Sequence, residues 1–236
     1  VPFTGSHPAA VLPLVASPLP TSALVLGSIA PDLPYYVPDD PGWPTHTAVG
    51  IVTVDLLLGL AAWLLWHGLL AAPALEAAPS GVRARVHASP GLLPRLRQLP
   101  LVVIALGVGA ATHVGWDEFT HPGRFGTQHV HWLATSHGGL EGYRWAQYAS
   151  GIVGAAALLL ALLLWWRRTA PRPAGRGLPW VWFALVSVAT TVGVVSAASA
   201  DSLRDAAFAG ATRGGGAALL LALLLATIWW MRSFRS

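Results

Sequence analysis

The chain has 236 residues, 54% hydrophobic and only 10% charged, where a soluble domain carries about 25% charged residues; this composition belongs in a bilayer. There is no cysteine, which excludes disulfides, thiolate metal sites and cysteine nucleophiles. The net charge is +4 and all fourteen basic residues are arginine, but they cluster in short loops between apolar runs, where membrane topology accounts for them without nucleic acid as a partner.

In chain order, the first 31 residues contain no charged side chain, and Pro8, Pro13, Pro18 and Pro20 interrupt them, so a single straight helix is excluded. The pattern predicts two short helices joined at "SPLP", the second capped by Thr21 or Ser22 and ended by Pro31. Folded as a re-entrant hairpin, this segment would bring His7 and Asp32 to one face, packed against protein as irregular backbone at membrane depth must be. Five apolar runs follow, Thr47–Ala71, Leu99–Trp116, Trp145–Trp166, Trp180–Ala200 and Gly214–Met231, each of a length that can cross a bilayer. Trp63, Trp66, Trp165, Trp166, Trp180, Trp182, Trp229 and Trp230 stand near run ends, as interfacial belts do. The expected fold is an all-α integral membrane bundle of about five transmembrane helices plus the N-terminal hairpin. It forms one membrane domain over residues 1–236: hairpin and motif loop at 1–46, core spans with the metal motif at 47–155, and two generic spans at 180–231.

Arginine placement sets an expected orientation. Arg83, Arg85, Arg95 and Arg97 share one loop, Arg167, Arg168, Arg172 and Arg176 another, and Arg232 and Arg235 the tail. With five spans these segments fall on one side, the cytoplasmic side of a bacterial inner membrane by the positive-inside rule. The opposite side then receives most of the acids, among them Asp39, Asp40, Asp201 and Asp205, together with most of the histidines; His67 and His87 stay on the arginine side.

The segment "THVGWDEFTH" carries His113, Asp117 and His121 at successive i, i+4 positions. Such residues share one helical face, drifting about 40° over eight residues, and imidazole with carboxylate at that spacing can hold one divalent cation. Ionisable groups at membrane depth are costly and therefore functional. Asp32 sits between prolines in "APDLPYY", His46 precedes the first span and His7 the first short helix. Together they give His7, Asp32, His46, His113, Asp117 and His121 as expected metal ligands, with Asp32 and Asp117 as candidate catalytic carboxylates. This donor set suits Zn, with Mn, Fe or Mg as alternatives, and a two-metal centre can clamp a phosphoryl group. His137 and Glu141 repeat the i, i+4 spacing as possible further ligands, although Gly138 and Gly139 weaken a helix there. Arg144, Tyr143, Gln147 and Arg124 are candidate groups for an anionic substrate. Asp55, inside the first span, would lie about 13 Å below His46 on a regular helix, too deep for the same metal, so its expected role is a hydrogen bond to a ligand from outside the metal or between helices. Asp201, Arg204 and Asp205 are spaced for local ion pairs.

The segments "PFTGSHPAAVLPL", "SALVLGSIAPDLPYY", "THTAVG", "THVGWDEFTH" and "YRWAQYASGIVG" resemble, in that order, an uncharacterised family of bacterial integral membrane proteins with the pattern PFT-x-SHPAAVLP, G-S-x-x-PD, THS and TH-x-x-WD-x-FTH. The likeness covers most of the first 155 residues, and Thr47 stands where that pattern has serine. The family is similar to inner-membrane metal-dependent hydrolases and, more distantly, to zinc-dependent phospholipase C and its nuclease relatives. That resemblance implies His7, Asp32, His46, His113, Asp117, His121, His137 and Glu141 as ligands and Asp32 as a base. The expected function is a membrane-embedded hydrolase cutting a phosphoester of a membrane lipid or lipid-linked substrate at an extracytoplasmic di- or trinuclear site. The rival expectations are a metal-stabilised non-catalytic protein, a metal or proton transporter, and a Mg-dependent enzyme acting on isoprenoid diphosphates.

Overall fold

Proline dictates how the chain begins. Pro8 and Pro13 cannot donate to a regular helix, and Thr4–Leu14 winds as a 3-10 helix instead. A turn through "SPLP" leads to α1 (Thr21–Ile29). Pro20 occupies its N-cap, and the Pro20 carbonyl accepts from the Ala23 and Leu24 amides; the expected Thr21 or Ser22 cap is not made. After Ile29 the chain tightens into a second 3-10 stretch, Ala30–Tyr36, with Pro31 at its start. Thr47 caps the short α2 (Ala48–Val52), its hydroxyl accepting from the Gly50 amide.

The computed structural model describes residues 4–37, 42–86 and 91–233; Asp39, Asp40, His87 and Arg235 lie outside them. Five helices are long and apolar enough to cross a membrane: α3 (Val54–Ala77, with a π turn at Trp66–Leu70), α4 (Leu99–Thr120, followed by the short helix Phe125–His129), α5 (Gly142–Arg168), α6 (Pro179–Ala197) and α7 (Leu203–Ser233). The protein is therefore an all-α membrane bundle. The strands among the described residues are two-residue pieces, Ser136–His137 paired antiparallel with Leu140–Glu141 around a Gly138-Gly139 turn.

Two boundaries differ from the sequence expectation. The first span is broken at Thr53, whose backbone (φ −124°, ψ −94°) leaves the helix before Val54 resumes it. The last helix starts at Leu203, well before Gly214, because Ser202 and Asp205 form a capping pair: the Asp205 amide donates to Ser202 Oγ, and that hydroxyl donates to the Asp205 carboxylate. That pair takes up Asp205, and no ion pair joins it to Arg204 among the described residues.

The core lies where α1 crosses α4 and α3. Val11, Ala23, Leu24, Trp63, Val102, Ala105 and Leu106 are buried together, so Trp63 belongs to the core, not to an interfacial belt. The crossing is close because it is made of glycine: a Cβ on Gly27 would lie 2.3 Å from the Leu106 carbonyl, and one on Gly109 2.3 Å from the Leu24 carbonyl. Small residues let helix backbones approach in this way where lipid offers no hydrophobic drive for association.

The two ends of the bundle differ in chemistry. At one end Arg85 lies over the Trp166 ring, 4.1 Å from its centroid, and the Arg172 amide donates to the Ala84 carbonyl, joining the two arginine-rich loops. At the other end Gln147, near the start of α5, reaches the C-terminal end of α4. Gln147 and Trp166 are separated along α5 by about 29 Å at 1.5 Å per residue, which is close to the hydrocarbon thickness of a bilayer.

Candidate metal centre

Four chain segments converge at the C-terminal end of α4. The first 3-10 helix brings His7, the second brings Asp32, the loop before α2 brings His46, and α4 itself supplies His113 and Asp117 one turn apart. All five are buried, from 0% exposed for Asp32 and His113 to 6% for His46. Placing five ionisable groups in such an interior is costly unless they satisfy one another or a bound ion.

Their spacing is specific. The Nε2 atoms of His46 and His113 are 3.2 Å apart. Asp32 Oδ1 lies 3.0 Å from the first and 3.5 Å from the second. Asp117 Oδ2 lies 3.5 Å from each. Two triples of ligand atoms thus share the His46–His113 edge, with separations of 3.0–3.5 Å. Ligands held at 2.0–2.1 Å from a tetrahedral ion are separated by roughly 3.3–3.4 Å, so each triple has the dimensions of one tetrahedral face. His7, Asp32 and His113 form a further group whose ligand atoms lie within 4.8 Å of one another, and the His7 ring stacks on His113 at 3.7 Å. His121 leaves the helix in an extended conformation yet turns back, its Nδ1 3.2 Å from Asp117 Oδ1.

Orientation of the rings comes from around the cluster. His113 Nδ1 is 2.7 Å from the Ser28 carbonyl; a carbonyl only accepts, so Nδ1 carries the proton and Nε2 faces the cluster. His46 Nδ1 meets Thr45 Oγ1 at 3.0 Å, and Thr4 Oγ1 donates to Asp32 Oδ2. Such outer contacts fix ring orientation and basicity in metal sites. Burial, with His113 alongside, pushes the His7 imidazole down to about 4, so at neutral pH one of its ring nitrogens keeps a free lone pair. Burial would raise Asp32, but hydrogen bonds from His113 and His46 outweigh it and hold the carboxyl well below the ordinary range. His7 Nδ1 is buried without a hydrogen-bond partner, and Asp117 Oδ1 is buried with only its ion-pair contacts to His121 and His7. Imidazole nitrogens and carboxylate oxygens turned toward one another in a buried cluster are the donor set a divalent ion takes up as it displaces their protons, and the cluster could hold one.

The remaining expected residues divide. Gln147 is at the cluster, its Nε2 3.1 Å from His121 Nε2. Arg124 borders it, donating to the His46 carbonyl at 2.7 Å. His137 has partners of its own: it stacks on Trp132 and bonds Thr135 and the Trp132 carbonyl. Glu141 pairs with Arg144 at 2.8 Å, and Arg144 also meets the Tyr143 hydroxyl. Neither His137 nor Glu141 joins a ligand group among the described residues. Thr4 and the Ser28 carbonyl were missed; a backbone carbonyl leaves no residue signature, and a threonine near the chain start has many possible uses. A cavity of about 10 Å³ beside the cluster, lined by His7, Asp117, His121 and Gln147 among others, has room for a single water or ion.

Fold and site together define a polytopic membrane protein with a buried histidine–aspartate cluster near one end of its bundle. The model of a family described as a domain of unknown function, DUF4184, matches residues 1–228, and the chain belongs to that family. No curated protein and no solved structure matches it.

Proposed function

We propose that the protein is a membrane-embedded, metal-dependent hydrolase that cuts a phosphoester in a lipid or lipid-linked substrate. The observation that carries this reading is the pair of ligand triples with tetrahedral-face spacing on the shared His46–His113 edge. Catalytic sites use three protein ligands and keep a further position open. A divalent ion bound there, Zn in the first instance, would supply Lewis acidity toward a phosphoryl oxygen and a lowered pKa for water.

The chain's own residues have separable tasks in this reading. His7, His46 and His113 present lone pairs, and Asp32 and Asp117 present negative charge, with His121 alongside Asp117. Asp32 and Asp117 are the candidate acceptors for the proton lost by an attacking water. Gln147 and Arg124 stand at the rim, where they can meet a phosphate oxygen; Arg144 and Tyr143 lie further out. In this reading the arginine-rich end faces the bacterial cytoplasm, as the positive-inside rule favours, and the cluster faces the extracytoplasmic leaflet and its lipid headgroups.

The test is elemental analysis of the purified full-length protein, followed by phosphoester and phospholipid hydrolysis with Zn(II) or Mn(II) added. Stoichiometric metal and turnover that both disappear in the His113→Ala/Asp117→Ala double variant are expected. Wild-type protein that binds no metal overturns the reading. The small volume of the adjoining cavity favours a second reading, a metal that only stabilises the bundle; bound metal without turnover on any phosphoester would select it.

A further inference from the structure

One carboxylate near this cluster is unused by the reading above. Asp55 is fully buried, and neither of its oxygens has a hydrogen-bond partner. On a regular helix it would be remote from His46. The break at Thr53 changes that, since Asp55 lies in the first turn of a new helix against the Pro44–Gly50 turn. A Cβ on Gly50 would lie 2.3 Å from the Pro44 carbonyl, 3.1 Å from Thr47 Oγ1 and 3.2 Å from Asp55 Oδ2, so the carboxylate fills the inside of that turn. It faces the backbone amide of His46 without a well-aligned hydrogen bond, and its charged neighbours are His46, His113 and Asp32.

The turn holds a second anomaly. His46 has φ +60°, and no other non-glycine residue among those described has a positive φ. A residue with a side chain stays in this left-handed region only where its surroundings over-determine it. Here the conformation aims the imidazole at Asp32 and His113 while its Nδ1 turns to Thr45. The Thr47 hydroxyl ties the same turn to Pro44 and Gly50. An unpartnered buried carboxylate and a strained ligand-bearing backbone thus meet at one amide.

We propose that Asp55 is a positioning residue of the metal centre: its carboxylate anchors the His46 amide from below and holds His46 in the left-handed conformation. This rests on the metal reading, and it assigns the intramembrane carboxylate to ligand geometry, not to a transport path. Asp55 acts through His46, so its effect disappears when the imidazole is removed.

The experiment measures Zn(II) affinity of metal-stripped, detergent-solubilised full-length protein by chelator competition, with the absorption spectrum of the Co(II) form as a second readout. Asp55→Asn is expected to weaken Zn(II) binding about tenfold or more, within the 10–100-fold range typical of outer partners of metal ligands. It should also move the Co(II) spectrum toward that of His46→Ala. Added to His46→Ala, it should weaken binding no further. Unchanged affinity in Asp55→Asn, or a full additional loss in the double variant, overturns the proposal. If Asp55→Asn is not recovered folded, Asp55→Glu keeps the charge but displaces it by one methylene; an unchanged affinity and Co(II) spectrum there overturn the proposal equally. Wild-type protein that takes up no Zn(II) overturns the metal reading together with this one, whereas equal uptake by wild type and Asp55→Asn overturns only this one.

Discussion

The α1–α4 crossing and the α6–α7 pair are both built on glycine, yet they do different jobs. At the first, Gly27 and Gly109 allow backbone against backbone, and polar groups gather where the crossing ends. At the second, Gly193, Gly210 and Gly214 allow two helices to lie together, but their outer faces remain open to lipid. In the most apolar stretch of the α4 span 39% of residues are buried, against 6% in α6, so α4 is the axis of the bundle and α6 part of its rim. Close helix packing is therefore not what marks the functional half. What marks it is that close packing there brings ionisable groups from four separate segments to one point.

Breaking this contrast gives effects of graded size. Asp117→Ala should reduce bound metal from stoichiometric to background, while Ser202→Ala, which removes only the cap of α7, should leave metal untouched and cost about 1 kcal/mol of helix stability; elemental analysis and thermal melting in detergent separate the two. Gly109→Ala drives a Cβ to 2.3 Å from the Leu24 carbonyl and 2.7 Å from the Ser28 amide. It should cost about 3 kcal/mol and loosen metal as well, because Ser28 orients His113. Gly210→Ala meets its nearest atom at 3.2 Å, and its better helix propensity offsets much of the crowding, for a net change within about 1 kcal/mol. The smallest effect concerns pH. Imidazole ligands must be neutral to bind, and the His7 ring takes up a proton only near 4, so bound metal should fall as pH drops toward 4, with no matching change in the melting of variants that already lack the site. Metal retained undiminished well below pH 4 would remove His7 from the ligand set.

Most of the candidate site was legible because an ionisable residue in an apolar run is conspicuous. His113, Asp117 and His121 announced themselves by spacing, and Asp32 by its prolines. Orientation was less legible. Nothing in "GWPTHTAVG" signals a left-handed His46, and the break at Thr53, which sets how Asp55 meets the Pro44–Gly50 turn, has neither glycine nor proline to mark it. Trp63 was misread since a tryptophan near a run end is compatible with either a belt or a core. The start of α7 was set too late because "ADSLRDAAFAGATRGGG" is polar and glycine-rich for a membrane helix, and the Ser202–Asp205 cap is what carries it.

Pro31 ends α1, and that has a chemical sequel. A 3-10 turn over Ser28 would take its closing N–H from residue 31, and proline has none to give. The Ser28 carbonyl is left with an open lone pair at the moment the chain turns, and His113 Nδ1 takes it. A punctuation mark in the backbone thereby selects an imidazole tautomer on another helix. The fold thus fixes the Nδ1 proton of His113 and leaves Nε2 as the atom it turns to Asp32 and Asp117, so an ion captured there takes the place of the proton that Nε2 shares with those carboxylates.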